Sequence, residues 1–177
     1  IKKNGKHERK AMRLVIVLLL LFSSSTKSEA VSDIYNDINC LAQNIYFESR
    51  NQSKLGKYGV AEVVLNRVKS NKYPSTICSV VYQAKTYMSP SGREVPRLHK
   101  CQFSWYCDGL SDIPKDVDKW VEALQLSAYV LQNPLQVNLT EGSLFYHSIS
   151  VEPYWSKSLI RVVRIDDHIF YKEKDWK

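Results

Sequence analysis

A glutamate in the first half of the sequence occupies a position that suits acid catalysis. Ile34, Ile38, Leu41 and Ile45 recur at spacings of four, three and four residues, which predicts an amphipathic helix. Glu48 follows three residues later on the same face, so its carboxyl group should point toward the protein interior. Burial beside apolar and aromatic groups disfavours the charged form and raises the pKa of a glutamate. We therefore expect Glu48 to hold a proton near neutral pH and to act as a general acid.

The same residue has a structural alternative, and its chemistry has two forms. Glu48 could instead be an ion-pair partner of Arg50 or Arg67. Breaking a glycosidic bond requires a proton donor, and ordinary glycosidases add a second carboxylate as nucleophile or base. Glu62 and Asp108 are the candidates for that second group, but neither lies in a recognisable paired motif. The missing partner favours a mechanism with a single glutamate, in which a hydroxyl group of the substrate itself attacks.

Residues 101–109 (CQFSWYCDG) combine side chains that suit sugar binding. An amide can form hydrogen bonds with sugar hydroxyls, and an exposed Trp can stack on a sugar ring. A packed loop explains the same residues equally well, and both interpretations stay open. The candidates for substrate binding here and elsewhere in the chain are Tyr46, Gln102, Phe103, Ser104, Trp105, Tyr146 and His147.

The cysteines and histidines indicate disulfides and give no sign of a metal site or another cofactor. Cys40, Cys78, Cys101 and Cys107 lack the paired spacing of zinc ligands, and an even number in an exported chain favours disulfides. Three pairings are open; the short Cys101–Cys107 loop is one candidate and would leave Cys40 with Cys78. The histidines lack ligand spacing and are expected to be mainly structural: His99, His147 and His168.

The first 30 residues have the layout of a secretory signal peptide. They hold seven Lys or Arg and two acids, which leaves 18 basic and 16 acidic side chains in residues 31–177. The net charge of +7 therefore gives no reason to expect a nucleic-acid partner. Nine apolar residues, 14–22, precede a polar stretch that ends at Ala30, the expected cleavage site. Nine apolar residues are too few to span a bilayer, which needs about 20. An uncleaved membrane anchor is the alternative to a cleaved signal peptide. Met12 is a candidate for the true first residue.

The remaining chain, residues 31–177, is predicted to be one mainly helical α+β domain. Ser32 or Asp33 should cap the first helix, and a loop should cover 51–56. A second helix is expected at about 57–70. Residues 71–112 should form a long loop that contains a short helix at 77–82, and another helix should follow Pro114. The last helix should bury a face formed by Val117, Trp120, Val121, Leu124, Ala128 and Leu131. Apolar runs on both sides of Asp166-Asp167 predict a C-terminal hairpin.

Several motifs in a fixed order carry a resemblance to a known family. They are residues 45–50 (IYFESR), 56–68 (GKYGVAEVVLNRV), 73–83 (YPSTICSVVYQ), 101–109 and 146–171. Together they resemble the SleB/CwlJ family of cell wall hydrolases over roughly residues 38–171. The resemblance implies a compact lysozyme-like domain that cleaves the bond from N-acetylmuramic acid to N-acetylglucosamine as a lytic transglycosylase. It also implies that Glu48 is the catalytic glutamate, in the position that the family's Y-x-E-A-R motif gives it.

The chain departs from the family pattern at a few positions. Ser49 replaces the usual Ala, Asn51-Gln52 replaces a common Gly-Glu, and Lys57 replaces a frequent Gln. Asp166 stands where a turn glycine is usual, so the hairpin turn could differ. None of these changes removes the glutamate, so they bear on substrate preference more than on activity.

Three classes of function follow from these observations. The first is an exported, monomeric enzyme that cleaves peptidoglycan glycan strands, with no stable membrane association after signal cleavage. The second is a peptidoglycan amidase or peptidase, which would need zinc ligands or a Cys/His pair such as Cys78 or Cys107 with His147. The third is an inactive wall-binding module in which Glu48 is structural. The first class agrees best with the residues.

Overall fold

The computed structural model describes residues 32–133 and 138–174. The chain divides into two units, residues 1–36 and 37–177, and the first is described only over 32–36, the start of a helix. The signal peptide predicted for residues 1–30 lies outside the described residues. Among the described residues, no helix has the length and apolar character that crossing a bilayer requires.

Helices come first in the chain and strands dominate its end, which confirms the predicted α+β class. The helices are α1 (residues 32–49), α2 (Lys54–Lys69), α3 (Ile77–Val81) and α4 (Val117–Gln132). The strands are β1 (Ala84–Met88), β2 (Glu94–Cys101), β3 (Phe145–Ser148), β4 (Ile160–Ile165) and β5 (His168–Lys172). Two short 3₁₀ helices cover Ser104–Cys107 and Tyr154–Ser158.

Helix α1 carries Glu48 and packs into the hydrophobic core. Leu41 and Ile45 of α1 are fully buried as predicted, whereas Ile34 at the start of the stripe is exposed. The expected cap at Ser32 or Asp33 is wrong, because both residues already belong to the helix.

Helix α2 begins earlier than the sequence suggests. The Ser53 hydroxyl accepts a hydrogen bond from the Gly56 N–H at 3.3 Å, so residues 54–56 join the helix instead of the predicted loop. A β-carbon on Gly59 would lie 2.7 Å from the Phe170 ring, so only glycine allows this close approach of α2 to β5.

The last helix, α4, buries a different face from the one predicted. Asp116 caps it, accepting from the Lys119 N–H at 3.1 Å, and the helix ends before Asn133. Val117 and Val121, however, are 70% and 44% exposed. The buried residues are instead Ala123, Leu126, Ser127 and Val130, while Trp120, Leu124 and Leu131 pack at the edge of the core.

The predicted C-terminal hairpin is confirmed and gains a third strand. Strands β4 and β5 pair antiparallel, and β3 pairs with the other edge of β5 to give the order β3-β5-β4. Asp166 in the turn adopts the left-handed conformation, at φ 50°, which glycine adopts more readily than other residues. Its carboxylate accepts a hydrogen bond from the Ser53 N–H at 2.8 Å, which offsets the strain and ties the turn to the start of α2.

Two disulfides and an unpredicted hairpin complete the fold. The bridges join Cys40 to Cys78 and Cys101 to Cys107, which selects one of the three open pairings. The short helix α3 is confirmed. The long loop expected over 71–112 is wrong in part, because it contains the antiparallel pair β1–β2. These strands are mostly exposed and lack the apolar alternation that would have revealed them.

Candidate active site

A cavity of about 770 Å³ opens beside the end of α1. Its walls come from α1, from the segment 104–115 and from strands β3 and β5. Glu48 lies in the wall, where the other lining residues include Tyr46, Trp105, Asp108, Tyr146 and His168. The volume matches the usual size of a small-ligand site, and aromatic and ionisable groups alternate around it.

The surroundings of Glu48 favour the protonated form of its carboxyl group. Its side chain is half-buried, and burial raises its pKa above the ordinary value. The Tyr146 hydroxyl donates a hydrogen bond to Glu48 Oε2 at 2.9 Å, and this bond opposes the rise by stabilising the carboxylate. The charge of Arg67 acts in the same direction and is the smallest of the three effects. The carboxyl group can therefore donate a proton and still be stabilised after it has done so.

Tyr146 is suited to remain a neutral hydrogen-bond donor. Burial raises its pKa well above the ordinary value, and the adjacent carboxyl of Glu48 raises it further. The His168 and Tyr146 rings are nearly perpendicular with centroids 5.2 Å apart, and the centroid of the Phe170 ring lies 5.6 Å from that of Tyr146. These contacts fix the phenol ring, so its hydroxyl orients the carboxyl group of Glu48.

Arg67 is a buried cation that supports the site from behind. Its Nε donates to the Leu144 carbonyl at 2.8 Å, and its guanidinium lies 5.1 Å from the ring centroids of both Tyr73 and Phe103. Within the described part of the chain it forms no salt bridge, so the ion pair with Glu48 considered from the sequence is absent. Its field still reaches Glu48 and lowers the pKa of that carboxyl.

Two of the predicted substrate-binding residues lie outside the cavity. With its amide oxygen turned toward Arg67, Gln102 accepts hydrogen bonds from Nη1 at 3.3 Å and Nη2 at 3.1 Å. Phe103 is buried and packs against the same guanidinium. Both side chains hold Arg67 in place, and neither lines the cavity wall.

The other predicted residues line the cavity, although two have additional structural duties. The hydroxyl of Tyr46 accepts from the N–H groups of Lys115 and Asp116, at 3.1 and 3.0 Å, and so anchors the start of α4. His147 is buried, with Nε2 2.9 Å from the Tyr171 hydroxyl. Ser104 lies in the wall and is exposed.

The position of Trp105 favours the packed-loop interpretation over an exposed stacking platform. It is only 6% exposed, its Nε1 donates to Asn44 Oδ1 at 3.2 Å, and its ring stacks on Phe47 at 4.9 Å. The residue therefore shapes the wall and does not offer a full face for a sugar ring.

The acidic residues separate clearly into structural and cavity groups. Glu62 is buried away from the cavity and accepts from the Thr140 N–H and hydroxyl, at 2.8 and 2.7 Å, so it holds the 138–144 segment. Asp108 lines the cavity and accepts from the Leu110 N–H at 2.8 Å. Asp112, which the sequence analysis missed, lines the same cavity, and its pKa is raised by burial and by Asp108.

His168 is a second cavity residue that the sequence analysis assigned to structure. It is buried, and its Nδ1 has no hydrogen-bond partner in the described protein. Burial lowers its pKa, so the ring is neutral near pH 7. Across residues 32–133 and 138–174, no group of His, Cys, Asp or Glu side chains is arranged to hold a metal ion.

The fold resembles two solved catalytic domains. The catalytic domain of the Bacillus cereus SleB protein aligns with a TM-score of 0.53 and 25% identity, over 78% of this chain and 91% of that one. The catalytic domain of the germination-specific lytic transglycosylase SleB from Bacillus anthracis gives 0.54 and 25%, over 77% and 94%. Both are similar in fold and in extent to this chain.

Sequence similarity to curated proteins covers a shorter stretch. The spore cortex-lytic enzyme of Bacillus cereus is 35% identical over 60 residues, 34% of this chain and 23% of that enzyme. The corresponding enzyme of Bacillus subtilis is 30% identical over 60 residues, 34% of this chain and 20% of its own length. The matched segment thus spans less than a quarter of either relative.

The family model described as Cell Wall Hydrolase matches residues 51–171, well over half of the chain. The matched residues begin just after Glu48 and include three residues that line the same cavity: Trp105, Tyr146 and His168. This extent, together with the likeness to the two solved domains, establishes the assignment that the motifs suggested. The chain belongs to the cell wall hydrolase family.

Proposed function

We propose that this protein cleaves peptidoglycan glycan strands at the bond from N-acetylmuramic acid to N-acetylglucosamine, as a lytic transglycosylase. The observation that carries the proposal is Glu48, a cavity carboxyl whose pKa is raised by burial and which Tyr146 orients by a hydrogen bond. The names of the similar proteins, a spore cortex-lytic enzyme and a lytic transglycosylase, support the same reaction.

The reaction needs one carboxyl group acting twice. Glu48 donates its proton to the oxygen of the leaving N-acetylglucosamine as the glycosidic bond breaks. The 6-hydroxyl of N-acetylmuramic acid then bonds to the anomeric carbon, and its proton passes to the Glu48 carboxylate. The product carries a 1,6-anhydro ring, and the enzyme returns to its starting protonation state. During the ionised interval, the Tyr146 hydrogen bond and the Arg67 charge stabilise the carboxylate.

Substrate contacts are assigned to the side chains that line the cavity. Tyr46, Ser104, Trp105, Tyr146 and His147 remain candidates, whereas Gln102 and Phe103 would act indirectly by holding Arg67. Because peptidoglycan lies outside the cytoplasmic membrane, the proposal includes export through the leader in residues 1–30. We propose residues 31–177 as the catalytic domain, working as a monomer on the wall.

A two-carboxylate muramidase is the second candidate. Asp108 and Asp112 line the same cavity as Glu48, so either could act as nucleophile or base. The cysteine form of the amidase alternative, Cys78 or Cys107 with His147, loses support because both thiols are in disulfides.

Single replacements of the acids distinguish the two candidates. We expect Asp108→Asn and Asp112→Asn to reduce muropeptide release by less than about tenfold, since a transglycosylase needs no second acid. Glu62→Gln is the control for structural damage: it should lower the unfolding temperature while the activity of the folded fraction survives. A loss of about 100-fold or more in a folded Asp108→Asn or Asp112→Asn variant would establish the muramidase instead.

A Tyr146→Phe variant tests the link between the tyrosine and the acid. The hydrogen bond lowers the pKa of Glu48, so its removal should raise that pKa further. A general acid must be protonated, so the falling alkaline limb of the rate profile should move to higher pH. Loss of orientation should also reduce the maximal rate, by about tenfold.

The matched control for this experiment is Tyr171→Phe. Tyr171 bonds to His147 in the same sheet and makes no hydrogen bond to Glu48 among the described residues. Its replacement should leave the alkaline limb in place. An alkaline limb that stays unmoved in Tyr146→Phe, or moves to lower pH, would contradict the proposed role of the tyrosine.

A further inference from the structure

The hairpin β1–β2 contains a large bulge beside the active site. Ala84 pairs with Cys101 and Thr86 pairs with Pro96, so the single residue Lys85 faces the four residues 97–100. His99, inside the bulge, adopts a left-handed backbone at φ 56°. Such distortions are concentrated near functional sites, where they redirect side chains out of a regular ladder.

The bulge forms one wall of a second cavity, also of about 770 Å³. The opposite wall is the segment 106–110, and Leu110 lines both cavities, so the two cavities are neighbours. The Cys101–Cys107 disulfide joins the two walls at their base. The side chains that project into it include Tyr87, Arg97, Leu98, Lys100 and Tyr106.

The two cavities differ in charge. The catalytic cavity is lined by three acids, Glu48, Asp108 and Asp112, and by two cations, Arg50 and Lys115. The described residues that line the second cavity include Arg97 and Lys100 and no acid. Two adjacent cations without a carboxylate partner form an attractive site for an anion.

Arg97 is partly organised for such a ligand. Its Nε donates to the Thr86 carbonyl at 3.3 Å, and its guanidinium lies 5.9 Å from the Tyr87 ring centroid. Within residues 32–133 and 138–174, neither its Nη groups nor the Lys100 ammonium forms a hydrogen bond or a salt bridge. Both groups are exposed and remain available to a carboxylate.

We propose that this second cavity binds the stem peptide of the strand being cleaved, with Arg97 and Lys100 contacting its carboxylates. This inference rests on the proposed function. A peptidoglycan strand carries peptides with free carboxylates on its muramic acid residues, whereas its sugars offer no charge to two cations. Because Leu110 lines both cavities, the second one lies within reach of a peptide attached to a strand in the catalytic cavity. Tyr87, Leu98 and Tyr106 supply apolar surface for its side chains.

The test compares two substrates and two double variants. The substrates are purified glycan strands with their stem peptides and the same strands after enzymatic removal of the peptides, both freed of phosphate polymers. The test variant is Arg97→Ala/Lys100→Ala. The control variant, Lys85→Ala/Arg93→Ala, removes the same charge from exposed positions of the same hairpin outside both cavities.

The test variant should lose about threefold to tenfold in kcat/KM on peptide-bearing strands, mainly through KM, as two exposed charge contacts would give. On peptide-free strands its kcat/KM should equal that of the unmodified protein. The control variant should equal the unmodified protein on both substrates. An equal loss on both substrates, an equal loss in the control, or no loss at all would overturn the proposal. So would a loss that appears only when phosphate polymers are restored to the wall.

Binding of the isolated peptide separates this proposal from the proposed function. A fluorescent stem peptide titrated into the folded protein should bind, weaken with added salt, and bind at least about threefold more weakly to the test variant than to the control. If neither strand preparation is cleaved, the proposed function fails. The titration still shows in that case whether the second cavity binds the stem peptide. Equal peptide binding by the test and control variants would overturn the inference.

Discussion

A Glu48→Gln variant is expected to lose at least about 100-fold of its glycan-cleaving rate while keeping its fold. The amide preserves the size of the side chain and an oxygen that can accept the hydrogen bond from Tyr146. It has no proton of suitable acidity to give to the leaving sugar. Release of muropeptides from purified sacculi, measured alongside circular dichroism, checks both parts of this expectation.

The same variant should be more stable than the unmodified protein at neutral pH. Burial raises the pKa of Glu48 in the folded state, so the folded protein binds the proton more tightly than the unfolded chain does. This favourable contribution is present below the unfolded pKa and is lost as the pH rises through the folded pKa. Replacement by Gln removes the cost of ionising a buried carboxyl. The gain in unfolding temperature should therefore grow from acid to neutral pH.

The matched control is Glu152→Gln, which changes an exposed glutamate that pairs with Lys157 at 3.6 Å. It should keep full activity and shift stability little at any pH. A folded Glu48→Gln variant that retains most of its activity would remove Glu48 from the mechanism.

The second large effect is expected from loss of the Cys40–Cys78 disulfide. This bridge connects α1, which carries Glu48, to α3, across a sequence separation of 38 residues. Closing a long loop restricts the unfolded chain, so a Cys40→Ala/Cys78→Ala variant should lose about 2–5 kcal/mol of unfolding free energy. Urea unfolding followed by tryptophan fluorescence measures the loss.

The other bridge provides the comparison within the same chain. Cys101 and Cys107 are separated by only 6 residues, so a Cys101→Ala/Cys107→Ala variant should lose less unfolding free energy than the first. Thiol titration of the unmodified protein under denaturing conditions should find both pairs oxidised. Four free thiols, or a larger loss from the short loop, would contradict this account of the two bridges.

The helical part of the fold was predictable because its signals are local. The spacing of Leu41 and Ile45 located the buried face of α1, and that face carried Glu48 into the cavity wall. The turn at Asp166-Asp167 lay between two apolar runs, which was sufficient to predict β4 and β5. In both cases neighbouring residues alone determine the structure.

The errors arise where distant contacts decide the outcome. Strands β1 and β2 are exposed, so they show no alternation of apolar and polar residues. On α4, Val117 and Val121 fit an apolar stripe, but the helix packs through Ala123 and Leu126 instead. A hydrophobic period predicts that a helix has a buried face more reliably than it identifies that face.

The candidate site shows the same division. Motif order identified Glu48 and Tyr146, whose hydrogen bond spans 98 residues of sequence. Nothing in the spacing of Asp112 or His168 predicted that either would reach the cavity. Gln102 was expected to bind sugar and instead lies against Arg67. Such partnerships depend on tertiary packing and become visible only in the folded chain.

The central claim, cleavage by a single glutamate that acts as acid and then as base, is tested most directly by the chemistry of the products. Purified sacculi would be digested with the protein, and the released muropeptides would be analysed by mass spectrometry without prior reduction. We expect 1,6-anhydromuramyl ends, each lighter by one water than a reducing sugar end. Products with reducing muramic acid ends, or with new amino groups and intact glycan strands, would contradict it.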